Sequence, residues 1–481
     1  MSEKEQRGST KLALKAGAWY VISSFLVKAL SFVTTPIFAR LMSSADYGEF
    51  SNYASWQVTL LIITSLELQN TLTRAYYDFT EDYDKYVSSV TALSFGTTAA
   101  CYVIFLLCRD FIFNIVAIPK QFVHIMFFTL LCQACKHIFM VRERTLYRYK
   151  SVAAMSVINL VVPTLIAVAM VVMADQSKML AARIYGFYVP SSCIGVVCAA
   201  VLINKGRCLK WEHCKYALKL SLPLTVSYLT AYLLTSSNTI VTKSVLGAEA
   251  ASVISIASSA IHILTILLHA LSDAVTTWIM DNLQQNKRSA LRKGLLIYTA
   301  GIAVAAAGVI LIAPEVIWVL GGTKYTQSVF LLPGMVVATA IQSMSTLFTI
   351  VLTYQKKVVK TALFTAIIAA VSIFAKVWLL PLFGVQILPY INMAAFMVQF
   401  AFGYVLVKQA GQGDIINIKG FVAIIALITA VMAASYVLYQ HTLLRYGIIL
   451  TIAIAVVAVG YRYRDILIQF VKGKLKRKKK A

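Results

Sequence analysis

The chain has 481 residues, 59% of them hydrophobic and only 13% charged, and its mean hydropathy of +0.77 lies far outside soluble averages. That balance excludes a soluble enzyme or a disordered chain and reads as an all-α polytopic membrane protein. The formal charge of +25 does not indicate nucleic acid, because the basic residues sit in short loops between apolar runs, where membrane topology explains them.

Apolar runs fall at approximately 16–42, 53–72, 87–108, 121–141, 152–174, 179–203, 217–244, 252–280, 292–313, 328–354, 361–381, 385–407, 419–439 and 444–461, which predicts about fourteen transmembrane helices. The first is too long for a secretory signal and lacks a small-residue cleavage site, so it is expected to remain as a span. Within it Lys28 lies too deep to reach either headgroup layer easily, and Tyr20, Ser24, Lys28, Ser31 and Thr35 recur every three or four residues as one polar stripe. Such a stripe lines either a solvated lumen or a polar helix–helix seam.

In the second run Glu67 and Arg74 are spaced to share one helical face, as a lumen-facing pair or a structural ion pair. All eight cysteines fall between Cys101 and Cys214. Cys132 and Cys135 form a CxxC inside a hydrophobic run with no second pair, so packing is expected rather than metal binding. Lys136, Arg183 and Lys376 are charged residues inside spans and so functional candidates, but they lie nearer span ends, where a long side chain can instead snorkel to the interface. In the eighth run His262, His269 and Asp273 share a face, which suits ion or proton coupling or simple hydrogen-bonded helix contacts.

Most of the 44 Lys and Arg residues fall in alternate loops and the tail, which predicts both termini in the cytoplasm. Shifting the chain so that Ala13–Lys15 falls on Ala217–Lys219 places Ser24 on Tyr228, Lys28 on Tyr232, Ser31 on Thr235 and Thr35 on Thr239. Spans one and seven then correspond in two six-helix lobes of like orientation, related by a pseudo-two-fold along the membrane normal. The expected organisation is a cytoplasmic N-terminus (1–15), an N-lobe (16–204), a cytoplasmic linker (205–216), a C-lobe (217–408), two extra spans (409–461) and a polybasic cytoplasmic tail (462–481) held against anionic lipid. No GK[ST] phosphate loop, Ser/His/Asp set or loop large enough for an active site occurs. Transport is expected, with no catalytic residues, no metal and no cofactor beyond an ion gradient.

Gly17-Ala18-Trp19, then Pro36-Ile37-Phe38-Ala39-Arg40-Leu41, then Asp46-Tyr47-Gly48-Glu49-Phe50 resemble the opening of the Wzx-type polysaccharide flippases in the MATE-like multidrug/oligosaccharidyl-lipid/polysaccharide (MOP) exporter superfamily. Arg74 also fits that pattern, while beyond the opening the resemblance rests on span number and lobe duplication. It implies a V-shaped, MATE-like fold in a bacterial cytoplasmic membrane that flips undecaprenyl-diphosphate-linked oligosaccharide to the outer leaflet by ion-coupled alternating access. The product would be O-antigen, capsule or exopolysaccharide, and the polymerase and glycosyltransferases of the same pathway would be partners. Two extra spans also occur in relatives such as the lipid II flippases. Carried over by position, Lys28 and Arg40 would be cationic lumen or gate residues and Arg74 a cation near the cytoplasmic opening. Ser24, Ser31, Thr35, Tyr228 and Tyr232 would complete the lumen walls for a lipid-linked anionic head group, whose prenyl tail stays among the membrane lipids. Glu67, His262, His269 and Asp273 are the ion-coupling candidates. A carboxylate facing the lumen would favour the alternative, a cation-coupled multidrug exporter. A dry interface between lobes would favour a non-transporting scaffold.

Overall fold

The structure, a computed structural model, describes residues 32–108, 118–355 and 358–462. Ser24, Lys28 and Ser31 lie outside the described residues, as do the side chains of Thr235, His269 and Asp273. Among the described residues all regular structure is helical. The N-terminal set is α1 (Phe32–Leu41), α2 (Ser44–Ser65), α3 (Leu72–Asp78), α4 (Tyr83–Leu107), α5 (Val123–Thr145), α6 (Tyr149–Met173) and α7 (Met179–Gly206). The C-terminal set is α8 (Trp211–Leu246), α9 (Ala248–Gln284), α10 (Arg288–Leu311), α11 (Ala313–Gly321), α12 (Gln327–Tyr354), α13 (Val358–Phe383), α14 (Leu388–Gln409), α15 (Ile418–Leu438) and α16 (Thr442–Arg462).

The connections are short because the local sequence stops each helix sharply. Ser43 caps α2, its side chain accepting from the Asp46 amide at 3.0 Å, which satisfies one of the orphan donors of the first turn. Gly247 alone joins α8 to α9 at φ 91°, a conformation that glycine adopts without the penalty a Cβ brings. At the other end of α2 two successive residues, Leu66 and Glu67, take positive φ of 47° and 50°. The helix ends there, and Arg74 belongs to the separate α3. The expectation that Glu67 and Arg74 share one helical face is therefore corrected.

Packing partners repeat between the two halves. In the N-terminal half α5 packs on α7, α6 on α7, α4 on α5 and α2 on α5; in the C-terminal half α12 packs on α14, α13 on α14, α10 on α12 and α9 on α12. Each pair is the counterpart expected if the first six spans overlay the next six, so the fold is two helical lobes of one plan. The lobes meet chiefly where α2 packs against α8 and α9; α15, outside the repeated plan, leans on α10 and α12 of the C-lobe. α12 carries no charged residue and is the most buried of the apolar helices, which makes it the spine of the C-lobe.

By length and composition 10 described stretches can cross a membrane, one of them the 50-residue Lys360–Gln409 that holds α13 and α14. The sequence reading counted about fourteen. The difference lies in α2, which Asp46, Glu49, Asn52 and Gln57 make too polar, and in the first and last runs, of which the apolar segments Phe32–Leu41 and Thr442–Ile452 fall within the described residues. On α13, Leu363, Ile367, Val371, Phe374, Trp378 and Leu382 are exposed every three or four residues, the pattern of a face in contact with lipid. Lys376 of the same helix points the other way and is fully buried.

The snorkelling expectation fails for all three lysine and arginine residues placed near span ends. Lys136, Arg183 and Lys376 are each buried. Lys136 donates to Asn159 Oδ1 at 2.9 Å and to the Ser191 hydroxyl, and Lys376 donates to Ser237 Oγ at 2.8 Å. Helix packing, invisible in a hydropathy profile, turns these side chains inward.

Candidate functional site

A cavity of about 710 Å³ lies between the lobes. Its N-lobe wall is built by Thr34, Thr35 and Phe38 of α1, by Tyr47, Phe50, Ser51 and Ser55 of α2, and by Arg183 of α7. The C-lobe wall is hydroxyl- and amide-rich: Tyr232, Ser236, Asn238 and Thr239 of α8, Ser255, Ser259, His262 and Thr265 of α9, Thr339, Gln342 and Ser343 of α12, and Asn392 of α14. Among the described lining residues there is one guanidinium, one imidazole and no carboxylate.

Arg183 is the centre of this site. Its guanidinium carbon lies 3.3 Å from the Phe38 ring centroid, 4.5 Å from that of Phe50 and 5.6 Å from that of Phe187. Stacking on aromatic faces holds a desolvated cation in place and is worth up to about 2 kcal/mol. It satisfies no N–H donor, however. Arg183 is only 9% exposed, and its Nε and Nη1 are buried without a hydrogen-bond partner among the described residues. Two orphaned donors on a buried guanidinium, in a cavity wall whose described residues include no acid, match an anion that offers several acceptor oxygens, such as a phosphate.

One end of the cavity is closed by contacts between the lobes. Arg40 donates to the carbonyls of Trp318 at 3.3 Å and Val319 at 3.1 Å, and Lys324 Nζ donates to the Met42 carbonyl at 2.7 Å. Lys243 pairs with Glu49 at 3.0 Å, and the Tyr47 and Tyr325 rings meet edge to face. Gly48 of α2 lies against the backbone of Ala248 so closely that a Cβ would come within 1.8 Å of its carbonyl oxygen. Deeper in, Tyr232 reaches across to the Ser55 carbonyl at 3.3 Å.

Towards the opposite end, the segment joining the lobes is docked on the N-lobe. The Cys208 and Lys210 amides donate to Ser88 and Ser89, and Lys210 Nζ pairs with Asp82 at 3.0 Å. Hydrogen bonds from Lys85 and then Lys210 hold the Asp82 carboxyl down at about 2. The start of α8 belongs to the same cluster, since Tyr216 bonds Asp78 and packs on Phe79. α8 thus begins on the N-lobe and, beyond Pro223, packs along α13 of the C-lobe.

The structure brings Thr35, Tyr232 and His262 to the cavity and Arg40 to its closed end. Three other candidates lie elsewhere. Tyr228 is half exposed and does not line it. Arg74 is exposed and pairs with Asp78 at 3.4 Å. Glu67 accepts from Gln69 and Asn70 at the end of α2, away from the lumen. Arg183, for which the sequence leaves a functional role and snorkelling both open, is the cation that the structure puts in the cavity wall. Phe187 one turn along α7 was the available signal, but Phe38 and Phe50 arrive from other helices.

Comparison with solved structures places this architecture. The chain is similar to "Lipid II flippase MurJ, inward closed conformation" (14% identity, 93% of this chain and 99% of that chain covered, TM-score 0.70). It is also similar to an inward-facing multidrug resistance MATE family transporter of the MOP superfamily (15% identity, 83% and 94% covered, TM-score 0.53). Among curated proteins none matches the sequence. The fold is therefore that of MurJ and MATE transporters, and the protein is a multi-pass membrane protein with a flippase-like architecture. The model of the polysaccharide biosynthesis protein family matches residues 13–279, more than half of the 481-residue chain, and the chain belongs to that family.

Proposed function

We propose that this protein flips an undecaprenyl-diphosphate-linked oligosaccharide from the cytoplasmic to the outer leaflet of a bacterial cytoplasmic membrane, supplying repeat units for O-antigen, capsule or exopolysaccharide. The observation that carries the proposal is the Arg183 guanidinium, whose Nε and Nη1 have no hydrogen-bond partner among the described residues, in a cavity whose described walls hold no carboxylate. A diphosphate supplies the acceptors that Arg183 lacks, the hydroxyl- and amide-rich C-lobe wall suits sugar hydroxyls, and the prenyl tail stays in lipid while the head group crosses. Thr35 and Tyr232 fit the substrate path and Arg40 the gate; Lys28, Ser24 and Ser31 are proposed to extend the same wall. With both termini cytoplasmic, the end closed at Gly48 faces outward. Alternating access then exchanges the contacts at that end for closure at the other.

The alternative, a cation-coupled multidrug exporter, calls for an acidic lumen, and the described lining offers none. A strain lacking this protein is expected to lose surface polysaccharide and to accumulate lipid-linked repeat units on the cytoplasmic side, with drug sensitivity unchanged. Gel analysis of surface glycan, glycosidase access to the lipid-linked pool in inverted vesicles, and growth inhibition assays read the three effects. Intact surface glycan together with new drug sensitivity would reverse the assignment.

A further inference from the structure

Lys376 offers a second buried cation outside the cavity wall, in a setting that differs from that of Arg183. It is fully buried on α13, and the hydrogen bond described for its ammonium goes to Ser237 Oγ of α8 at 2.8 Å. The elements packed against α13 are α8, α12, α14 and the Gly384–Ile387 turn. α12 and that turn carry no charged or titratable side chain except Tyr354 at the far end of α12. α14 carries Lys408 at its far end with Tyr390 and Tyr404. On α8 the charged and titratable groups are Glu212, His213, Cys214, Lys215, Tyr216 and Lys219 towards its start, Tyr228 and Tyr232 along it, and Lys243, which pairs with Glu49. α13 itself adds Lys360 near its start. No described carboxylate on these elements lies near Lys376 along its helix, so among the described residues the buried ammonium has no acidic counter-ion, a costly arrangement that intramembrane proteins keep for function.

The surroundings are polar but incompletely bonded. Ser372 Oγ, one turn before Lys376, and Asn392 Oδ1 of α14 are both buried without a hydrogen-bond partner. Asn392 donates to Asn238 Oδ1 at 3.3 Å. Ser236 and Asn238, which flank Ser237 in the chain, and Asn392, which bonds Asn238, all line the cavity. Lys136 contrasts with this: it has two oxygen partners, and neither Asn159 nor Ser191 reaches the cavity wall.

We propose that Lys376 is the proton-coupling residue of the transport cycle, its charge state selecting the arrangement of α8 against α13 and α14. In one step the N–H bond of the ammonium breaks, the nitrogen keeps the electron pair, and the proton passes to water at the Asn238–Asn392 wall; the reverse step restores the ammonium. The ammonium draws on Ser237 of α8, while the amine releases it, and α8 carries Tyr232, Ser236 and Asn238 to the substrate path. The inference rests on the alternating-access reading above but not on the identity of the substrate.

The test therefore uses no substrate. In the full chain with native cysteines replaced, spin labels at Lys178→Cys and Glu249→Cys, both exposed, report the separation of the lobes in phosphatidylglycerol/phosphatidylethanolamine vesicles by double electron–electron resonance. The distance distribution is expected to shift between about pH 5 and about pH 10, limits that span the range over which lysines titrate in proteins. Lys376→Met is expected to give one distribution at both pH values, and Lys376→Arg, which stays charged, the other. Ser237→Ala is expected to move the midpoint of the wild-type shift. A wild-type distribution that ignores pH, or a shift that persists in Lys376→Met, overturns the proposal. If Lys376→Met does not reach the membrane, Lys376→Arg decides alone: a lost shift supports the assignment and a retained shift removes it. Loss of the flippase reading would alter the glycan phenotype and leave this measurement unchanged.

Discussion

Arg183→Met is expected to reduce delivery of surface polysaccharide about 10- to 100-fold while the protein still inserts and folds. The estimate follows from losing charge-assisted hydrogen bonds to the head group, each worth about 1.5–3 kcal/mol, with about 1.4 kcal/mol per decade. Methionine is chosen because it keeps an apolar side chain of similar length beneath Phe38 and Phe50, so the packing that the guanidinium provides is largely retained. Arg183→Lys separates charge from shape. It keeps a cation but loses the planar fork and is expected to fall between wild type and Arg183→Met. Quantifying surface glycan against membrane protein level by immunoblot tests both variants. Wild-type glycan in Arg183→Met at equal protein level would show that the cavity cation does not hold the substrate.

The same residue shows what a sequence of this kind discloses and what it withholds. Helix existence was legible from hydrophobic runs, and the two-lobe plan from overlaying Ala13–Lys15 on Ala217–Lys219, because each run responds to a solvent that acts on every residue alike. The direction in which one charged side chain leaves its helix is set by neighbours remote in the chain. Arg183 and Lys376 lie within a few turns of their span ends, where snorkelling is cheap, and only Phe38 and Phe50 in one case and Ser237 in the other turn them inward. The Glu67 and Arg74 pair failed for a more local reason. Two successive positive φ values end α2 between them, a break that no glycine or proline marks in that stretch. The opening motif was more informative: Arg40, Asp46 and Gly48 each have a structural task at the closed end, Arg40 on the Trp318 and Val319 carbonyls, Asp46 in the cap of α2, and Gly48 against Ala248.

Gly48→Ala is expected to open that end. Alanine is ordinarily the better helix former by about 1 kcal/mol, so on local grounds α2 would gain stability. Against this, the new Cβ would lie 1.8 Å from the Ala248 carbonyl oxygen, a backbone atom that no rotamer change can move aside. Relief requires the two helices to separate by about an ångström or more, and packed interfaces yield to such insertions at about 1–3 kcal/mol. Charged to the closed state alone, that penalty shifts the two-state equilibrium toward the outward-open arrangement by on the order of 10- to 100-fold. Arg40→Ala, which removes two backbone hydrogen bonds at an exposed position, is expected to shift it in the same direction by less. Ser255→Cys, in the cavity wall, reads the change in a background lacking the native cysteines: a membrane-impermeant maleimide added outside intact cells should label Gly48→Ala faster than wild type. A larger labelling rate together with reduced glycan export marks a transporter held on one side of its cycle. Unchanged labelling in Gly48→Ala would mean that α2 and α9 separate elsewhere, and that the contacts among Arg40, Glu49, Lys243 and Lys324 do not form the gate.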